Sequence, residues 1–184
     1  MAGQARGMRR AAPLGAAAAA GLALAACGDH ALEGKDCPAA ARARTVSGFC
    51  VPRYLSLKRG EVMGRGGPGK DYPARWVYHV QGLPVQVVAE TTDWRRICDP
   101  DGGAVWVHRS MVDGRRTVMA LGAAPIPLRH APRSGSPAAG LLNARALAAL
   151  ERCAGGWCEV KAGGVAGWAP RGAFWGLAAA RQCR

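Results

Sequence analysis

The chain repeats itself, and an internal repeat constrains a fold more than any local pattern can. Arg65-Gly-Gly-Pro68 in the first half is echoed by Arg129-His-Ala-Pro132 in the second. Trp94-Arg-Arg-Ile97 is echoed by Trp157-Cys-Glu-Val160, and Gly103-Ala-Val-Trp106-Val107 by Val165-Ala-Gly-Trp168-Ala169. The landmarks keep their order at offsets of 64, 63 and 62 residues. Small loop deletions account for that drift, so the economical reading is two copies of one unit of roughly 60 residues.

Within each unit the pattern is that of short strands. Leu83, Val85 and Val87 alternate along one of them, and "DWRRIC" and "AVWVH" continue in the same style. Asp99-Pro100-Asp101-Gly102-Gly103 is a hairpin turn, because Pro presets φ and Gly accepts positive φ. Ala154-Gly155-Gly156 does the same between Cys153 and Trp157. Short strands separated by Gly, Pro and Asp turns predict an all-β chain of two small barrels. Residues 143–152, "NARALAALER", favour helix by propensity, yet the repeat sets them opposite the strand around 83–88 and predicts strand.

The N-terminus stands apart from the repeat. Arg6, Arg9 and Arg10 precede an Ala/Leu-rich run from Ala11 to Ala26, the layout of an export signal and short for a membrane span. The run ends in Leu24-Ala25-Ala26-Cys27, which resembles a bacterial lipobox and makes Cys27 the expected lipidation site. Cleavage after Ala23-Leu24-Ala25 is the alternative. The expected organisation is a signal peptide over 1–27, a linker over 28–50, and barrels over 51–120 and 121–184. With Cys27 carrying lipid, six of the seven Cys remain, an even set suited to disulfides in an exported chain, although six allow fifteen pairings. Cys153 and Cys158 bracket a tight turn and are expected to pair. Cys50 with Cys98 follows from their sharing the first unit, and Cys37 with Cys183 by elimination.

Charge narrows the partners. The net charge of +13 falls to +10 once residues 1–27, with three Arg and no acid, are removed. Such a surface is drawn to polyanions, which outside the cytoplasm means wall polymers, envelope components or lipid headgroups; no nucleic-acid motif is present. Gly64-x-x-x-x-Gly69-Lys70 has the spacing of a phosphate-binding loop, but Asp71 stands where Ser or Thr must hold magnesium, so no nucleotide is expected. The four His show no metal-ligand spacing, no G-x-S-x-G elbow exists, and His108-Arg-Ser110 lacks an acid at diagnostic spacing. The expectation is a non-enzymatic protein without metal or cofactor.

The stretch "GEVMGRGGPGKDYPARWVYHVQGLPVQVVAETTDWRRICDPDGGAVWVHRSMVDGRRT" resembles the bacterial SH3-like family of exported alphaproteobacterial proteins. That family carries V-N-V-R-x-G-P, then Y-P-V-x-W, G-L-P-V-x-V, W-x-R-I and G-W-V-x-x-S-L. The likeness runs from about Arg53 to Thr117, with a fainter copy from Pro127 to Gly176. Met63 stands where the family prefers Asn, Gly64 where it prefers an apolar residue, and Val105 where it prefers Gly. The resemblance implies two tandem SH3-like barrels, and it makes "GRGGPGKDYP" the long surface loop after a first strand. It also implies a shallow groove for extended peptides, with Tyr72, Trp76, Tyr78 and Trp106 as the matching aromatics. Trp94 and Trp157, each following a turn, are expected instead as core pillars. The function these features suggest is a periplasmic or membrane-anchored module that docks peptidoglycan or an extended envelope peptide. An adaptor that scaffolds an envelope protein complex is the alternative.

Overall fold

Strand alternation governs both halves of the computed structural model, which describes Cys37 and residues 43–183. A short hairpin, β1 (Ala43–Arg44) and β2 (Cys50–Val51), precedes the barrels. The first sheet comprises β3 (Arg53–Leu57), β4 (Val62–Arg65), β5 (Ala74–Tyr78), β6 (Pro84–Glu90), β7 (Trp94–Cys98), β8 (Ala104–His108) and β9 (Val112–Asp113). The second comprises β10 (Thr117–Ala120), β11 (Ile126–Arg129), β12 (Ala138–Leu142), β13 (Leu147–Ala154), β14 (Trp157–Ala162), β15 (Val165–Pro170) and β16 (Phe174–Trp175). The strand orders are β5-β4-β8-β7-β6-β3-β9 and β12-β11-β15-β14-β13-β10-β16, so raising each label by seven converts the first into the second. The register repeats as well: Arg65 faces Trp106 in one sheet and Arg129 faces Trp168 in the other. Apart from two short helical turns the described residues are all-β, in two tandem units as the repeat predicts and SH3-like as the resemblance implies. Among the described residues no helix is long and apolar enough to cross a membrane.

Inward positions build two separate cores. Leu57, Val62, Val85, Val87, Ile97 and Val107 are sealed inside the first barrel. Val118, Leu128, Leu142, Val160 and Phe174 fill the second. Each such side chain contributes about 1.5–3 kcal/mol of burial. Residues 147–154 are strand, as the repeat predicts over local propensity. Pairing on both flanks, with β10 and with β14, outweighs the small helix preference of Ala and Leu. The residues before it, 143–146, form a turn in which Arg145 takes φ 60°, where the first barrel places Gly82 at φ 79°.

One cross-strand exchange explains two departures from the family pattern. A Cβ built on Gly64 would lie 2.6 Å from Val105 Cγ2 and 3.3 Å from the Tyr78 ring. In the second barrel the equivalent residues are Leu128 and Gly167, and there a Cβ on Gly167 would lie 2.8 Å from Leu128 Cβ. Both pairs therefore hold one large and one absent side chain, in opposite order. The second barrel keeps the family arrangement and the first reverses it.

Several expectations are corrected. Trp94 and Trp157 are only half-buried, because Ile97 and Val160 face the cores and a residue three positions earlier on a strand points the other way. The buried indoles are Trp168 and Trp175. Thr117–Ala120 belongs to the second sheet, so the barrels part after Asp113 and not at 120, and the β1–β2 hairpin occupies the end of the expected linker and reaches Val51. Cys50 bonds to Cys37 and Cys98 to Cys183, with Cα separations of 5.5 and 5.3 Å, which replaces the expected Cys50–Cys98 and Cys37–Cys183 pairs. Cys153 is bonded to Cys158 across the β13–β14 hairpin. The expected signal segment and Cys27 lie outside the described residues.

The reason for the Cys98 partner is a strap. Cys98 and Gln86 are cross-strand neighbours and both are fully buried, though each points away from the barrel core. Residues 178–183 of the C-terminal tail cover them. The Gln86 amide donates to the Ala180 carbonyl at 2.8 Å and accepts from the Gln182 N–H at 2.8 Å, and the disulfide closes the end. Elsewhere the barrels meet through Ser56 and Thr117, whose hydroxyls are 2.6 Å apart, and through the Tyr54 ring set edge-on to Trp175 at 5.2 Å.

The β1–β2 hairpin is fastened by Glu90, whose side chain is wholly buried. It accepts from Thr45, from Ser47 at 2.5 Å and from Arg53, and is ion-paired with Arg95 at 2.8 Å. Burial by itself raises this carboxyl's pKa. The hydrogen bonds from Ser47, Thr45 and Arg53, with the Arg53 charge, more than offset that and hold it below its ordinary value of 4.5.

Candidate functional site

Outward positions of the first barrel converge on one cleft. Trp94 opens β7 and His108 closes β8; they are direct cross-strand partners, and their rings meet edge-to-face at 5.5 Å. Together they form the floor of a cleft of about 490 Å³, extended by Met63 from β4 and Met111 from the turn after β8. Arg65, Lys70 and Glu61 stand on its rim, so two cations and one acid border an aromatic surface. Trp94 is fixed by its turn: its N–H donates to Thr91 Oγ1 at 3.2 Å, and its carbonyl accepts from Thr91 N–H at 2.9 Å. Arg65 also shapes the long loop, donating from Nη1 to the carbonyls of Lys70 (2.9 Å) and Tyr72 (2.7 Å). This is the loop with phosphate-loop spacing, and its backbone closes on Arg65 and on itself.

The expected groove aromatics take up different settings, and of the four Trp76 and Tyr78 have neighbouring rings. Tyr78 is buried, and its hydroxyl donates to Asp99 Oδ2 at 2.9 Å. Burial, and then the Asp99 charge, push its phenol far above the usual range. Tyr72 is half-exposed and folds back over Gly67 and Gly69, where little but a glycine fits beneath its ring. Trp76 lies on the edge strand β5, exposed, with its ring tilted 6.5 Å from that of Tyr78. Trp106 faces outward on β8 between Arg65 and Arg96. Trp94, Met63 and His108 were the signals to find, and strand alternation places Trp94, three residues before the inward Ile97, on the outer face.

His108 is engaged in structure. Its Nδ1 accepts from the Ser110 N–H at 3.3 Å, so that His108 caps the short helical turn after β8, and lies 2.8 Å from Ser110 Oγ. Among the described residues no group of three or more His, Cys, Asp or Glu side chains is placed to hold a metal ion.

A family model described as "Bacterial SH3 domain" matches the chain over residues 58–114 and again over 122–176, one match in each barrel. The chain belongs to the bacterial SH3 domain family. Each match begins just after the first strand of its barrel, so the β1–β2 hairpin lies outside the matched family unit. Among solved structures the chain is similar to NlpC2 from Trichomonas vaginalis, at 8% identity and a TM-score of 0.31, over 68% of this chain and 48% of that one. It is similar to NlpC1 from the same organism at 8% identity and 0.30, over 76% and 50%. The chain thus spans about half the length of those proteins. Among curated proteins none matches it.

Proposed function

We propose that this bacterial SH3 protein is a non-catalytic binding module of the cell envelope, and that the Trp94 cleft docks an extended peptide bearing both acidic and amino groups. The carrying observation is the cleft itself, with aromatic and thioether side chains forming the floor and Arg65, Lys70 and Glu61 the rim. Stacking supplies affinity to such a ligand, while paired charges set its register. Peptidoglycan stem peptides have this chemistry and are the leading ligand. Export, lipidation at Cys27 and a periplasmic location belong to the same reading, supported by the basic, apolar and lipobox segments of the N-terminus. The mass of the mature protein tests that part, since an acylated Cys27 fixes both the first residue and the added chains.

Co-sedimentation with purified sacculi tests the ligand. Wild-type protein is retained and Trp94→Ala loses at least ten-fold in affinity, whereas Trp76→Ala behaves as wild type. Equal retention of wild type and Trp94→Ala refutes the cleft. The adaptor reading has its own support in the exposed Met63, Trp76, Val77 and Val80 along the β4–β5 edge. Absence of sacculus binding, with Trp76-dependent capture of an envelope protein, selects it.

A further inference from the structure

Two guanidinium groups share one acid beneath the β1–β2 hairpin. Arg53 and Arg95 side chains are 19% and 10% exposed, and both bond to the wholly buried Glu90. The excess positive charge sits where water cannot fully solvate it, and a sheltered charge without a partner is costly. Arg95 eases its share through the carbonyls of Thr91 and Trp94, at 2.8 and 3.1 Å. Arg53 does not. Its Nη1 is buried and has no hydrogen-bond partner among the described residues. The Phe49 ring lies over it, 5.1 Å from the guanidinium carbon, and that ring is itself 63% exposed.

A cleft of about 340 Å³ opens beside this arginine, walled by Phe49, Leu55 and Val112 and rimmed by Arg95 and Arg109. Asp113 lines it too, but its charge is engaged by Arg115 at 2.8 Å. It shares no lining residue with the Trp94 cleft. From the unspent guanidinium edge, the buried excess of positive charge and the apolar walls, we propose that this cleft is an anion site for a carboxylate carrying a small apolar substituent, such as the C-terminus of a peptide. The ligand displaces the loosely held Phe49 ring and its two oxygens meet the Arg53 fork, a geometry that a guanidinium offers and an ammonium does not. Leu55 and Val112 take the apolar group, and Arg109, whose exposed pairing with Asp93 at 3.2 Å leaves its other guanidinium nitrogens to the rim, draws the anion in.

N-acetylalanine, with N-acetylalaninamide as its uncharged counterpart, tests the site by amide-signal titration of the full chain. The acid shifts the signals of Phe49, Arg53 and Arg95 saturably, and the amide leaves them in place. Arg109→Glu, on an exposed rim residue, weakens the acid at least ten-fold, and Arg53→Lys does the same by removing the fork. If Arg53→Lys fails to fold, Arg109→Glu still decides. Equal response to acid and amide, absence of any shift, or shifts centred on the exposed Lys58 and Arg59 overturn the proposal, as does unchanged affinity in Arg109→Glu.

Discussion

Exchanging Gly64 and Val105 gives the first barrel the arrangement of the second, and the energetics of that exchange follow from the packing. Gly64→Leu alone drives a branched side chain into Val105, whose Cγ2 lies 2.6 Å from where the new Cβ must stand. Val105 is β-branched on a paired strand and cannot swing aside, so overpacking costs about 1–3 kcal/mol. Val105→Gly alone empties a position that is 6% exposed and adds backbone freedom to the unfolded chain, costing about 2–4 kcal/mol. In the double variant each change fills or vacates the space that the other needs. Leu128 and Gly167 show that the second barrel, with the same strand order, accommodates such a pair. The double variant is therefore expected within about 1 kcal/mol of wild type, with a coupling energy of about 2 kcal/mol or more in a double-mutant cycle. Urea unfolding followed by tryptophan fluorescence measures all four proteins. Strictly additive losses would refute the reasoning, because they would mean that the two sites do not share one space.

Arg145→Gly is expected to stabilise the chain by about 0.5–1 kcal/mol in the same assay: a left-handed backbone costs a non-glycine residue about 1–2 kcal/mol, while the exposed Arg145–Asp101 pair it gives up contributes at most about 1. Replacing Cys98 and Cys183 by Ser opens a loop of 85 residues, which the loop-closure relation values at about 4–5 kcal/mol, and hydrogen exchange across 178–183 should accelerate markedly. Glu90→Gln leaves two buried arginines without their acid and should cost roughly 3–5 kcal/mol at neutral pH. Because the folded carboxyl titrates below 4.5, its contribution is complete above that pH and fades as pH falls through the folded value, so wild type and variant should converge in acid unfolding.

The architecture was legible because a repeat is read as a whole. Offsets between Arg65 and Arg129, or Trp106 and Trp168, report register directly, and register fixes strand order once one barrel is understood. That is also why the helix-favouring run before Cys153 could be read as strand. The candidate site was less legible, since it depends on which side of a strand a residue occupies. One misplaced step separates Trp94 from the core, and Tyr78 looks like a groove aromatic until its hydroxyl meets Asp99. The pairing of Cys98 was beyond sequence for a different reason. Val85, Gln86 and Val87 are buried in succession, as are Ile97 and Cys98, which signals a strand covered on both faces but not what covers it. Only the returning tail, with Gln86 as its hydrogen-bonding clasp, supplies that answer.

The strap also decides how the molecule carries mechanical load. A pull applied between the N-terminal hairpin and the last cysteine enters at Cys37, passes through the first barrel to Cys98, and leaves through Cys183. Every residue from 99 to 182 sits in a closed covalent ring beside that line of force. The second barrel is thereby sheltered from tension along that line, and only the first need resist it while the bridge is oxidised.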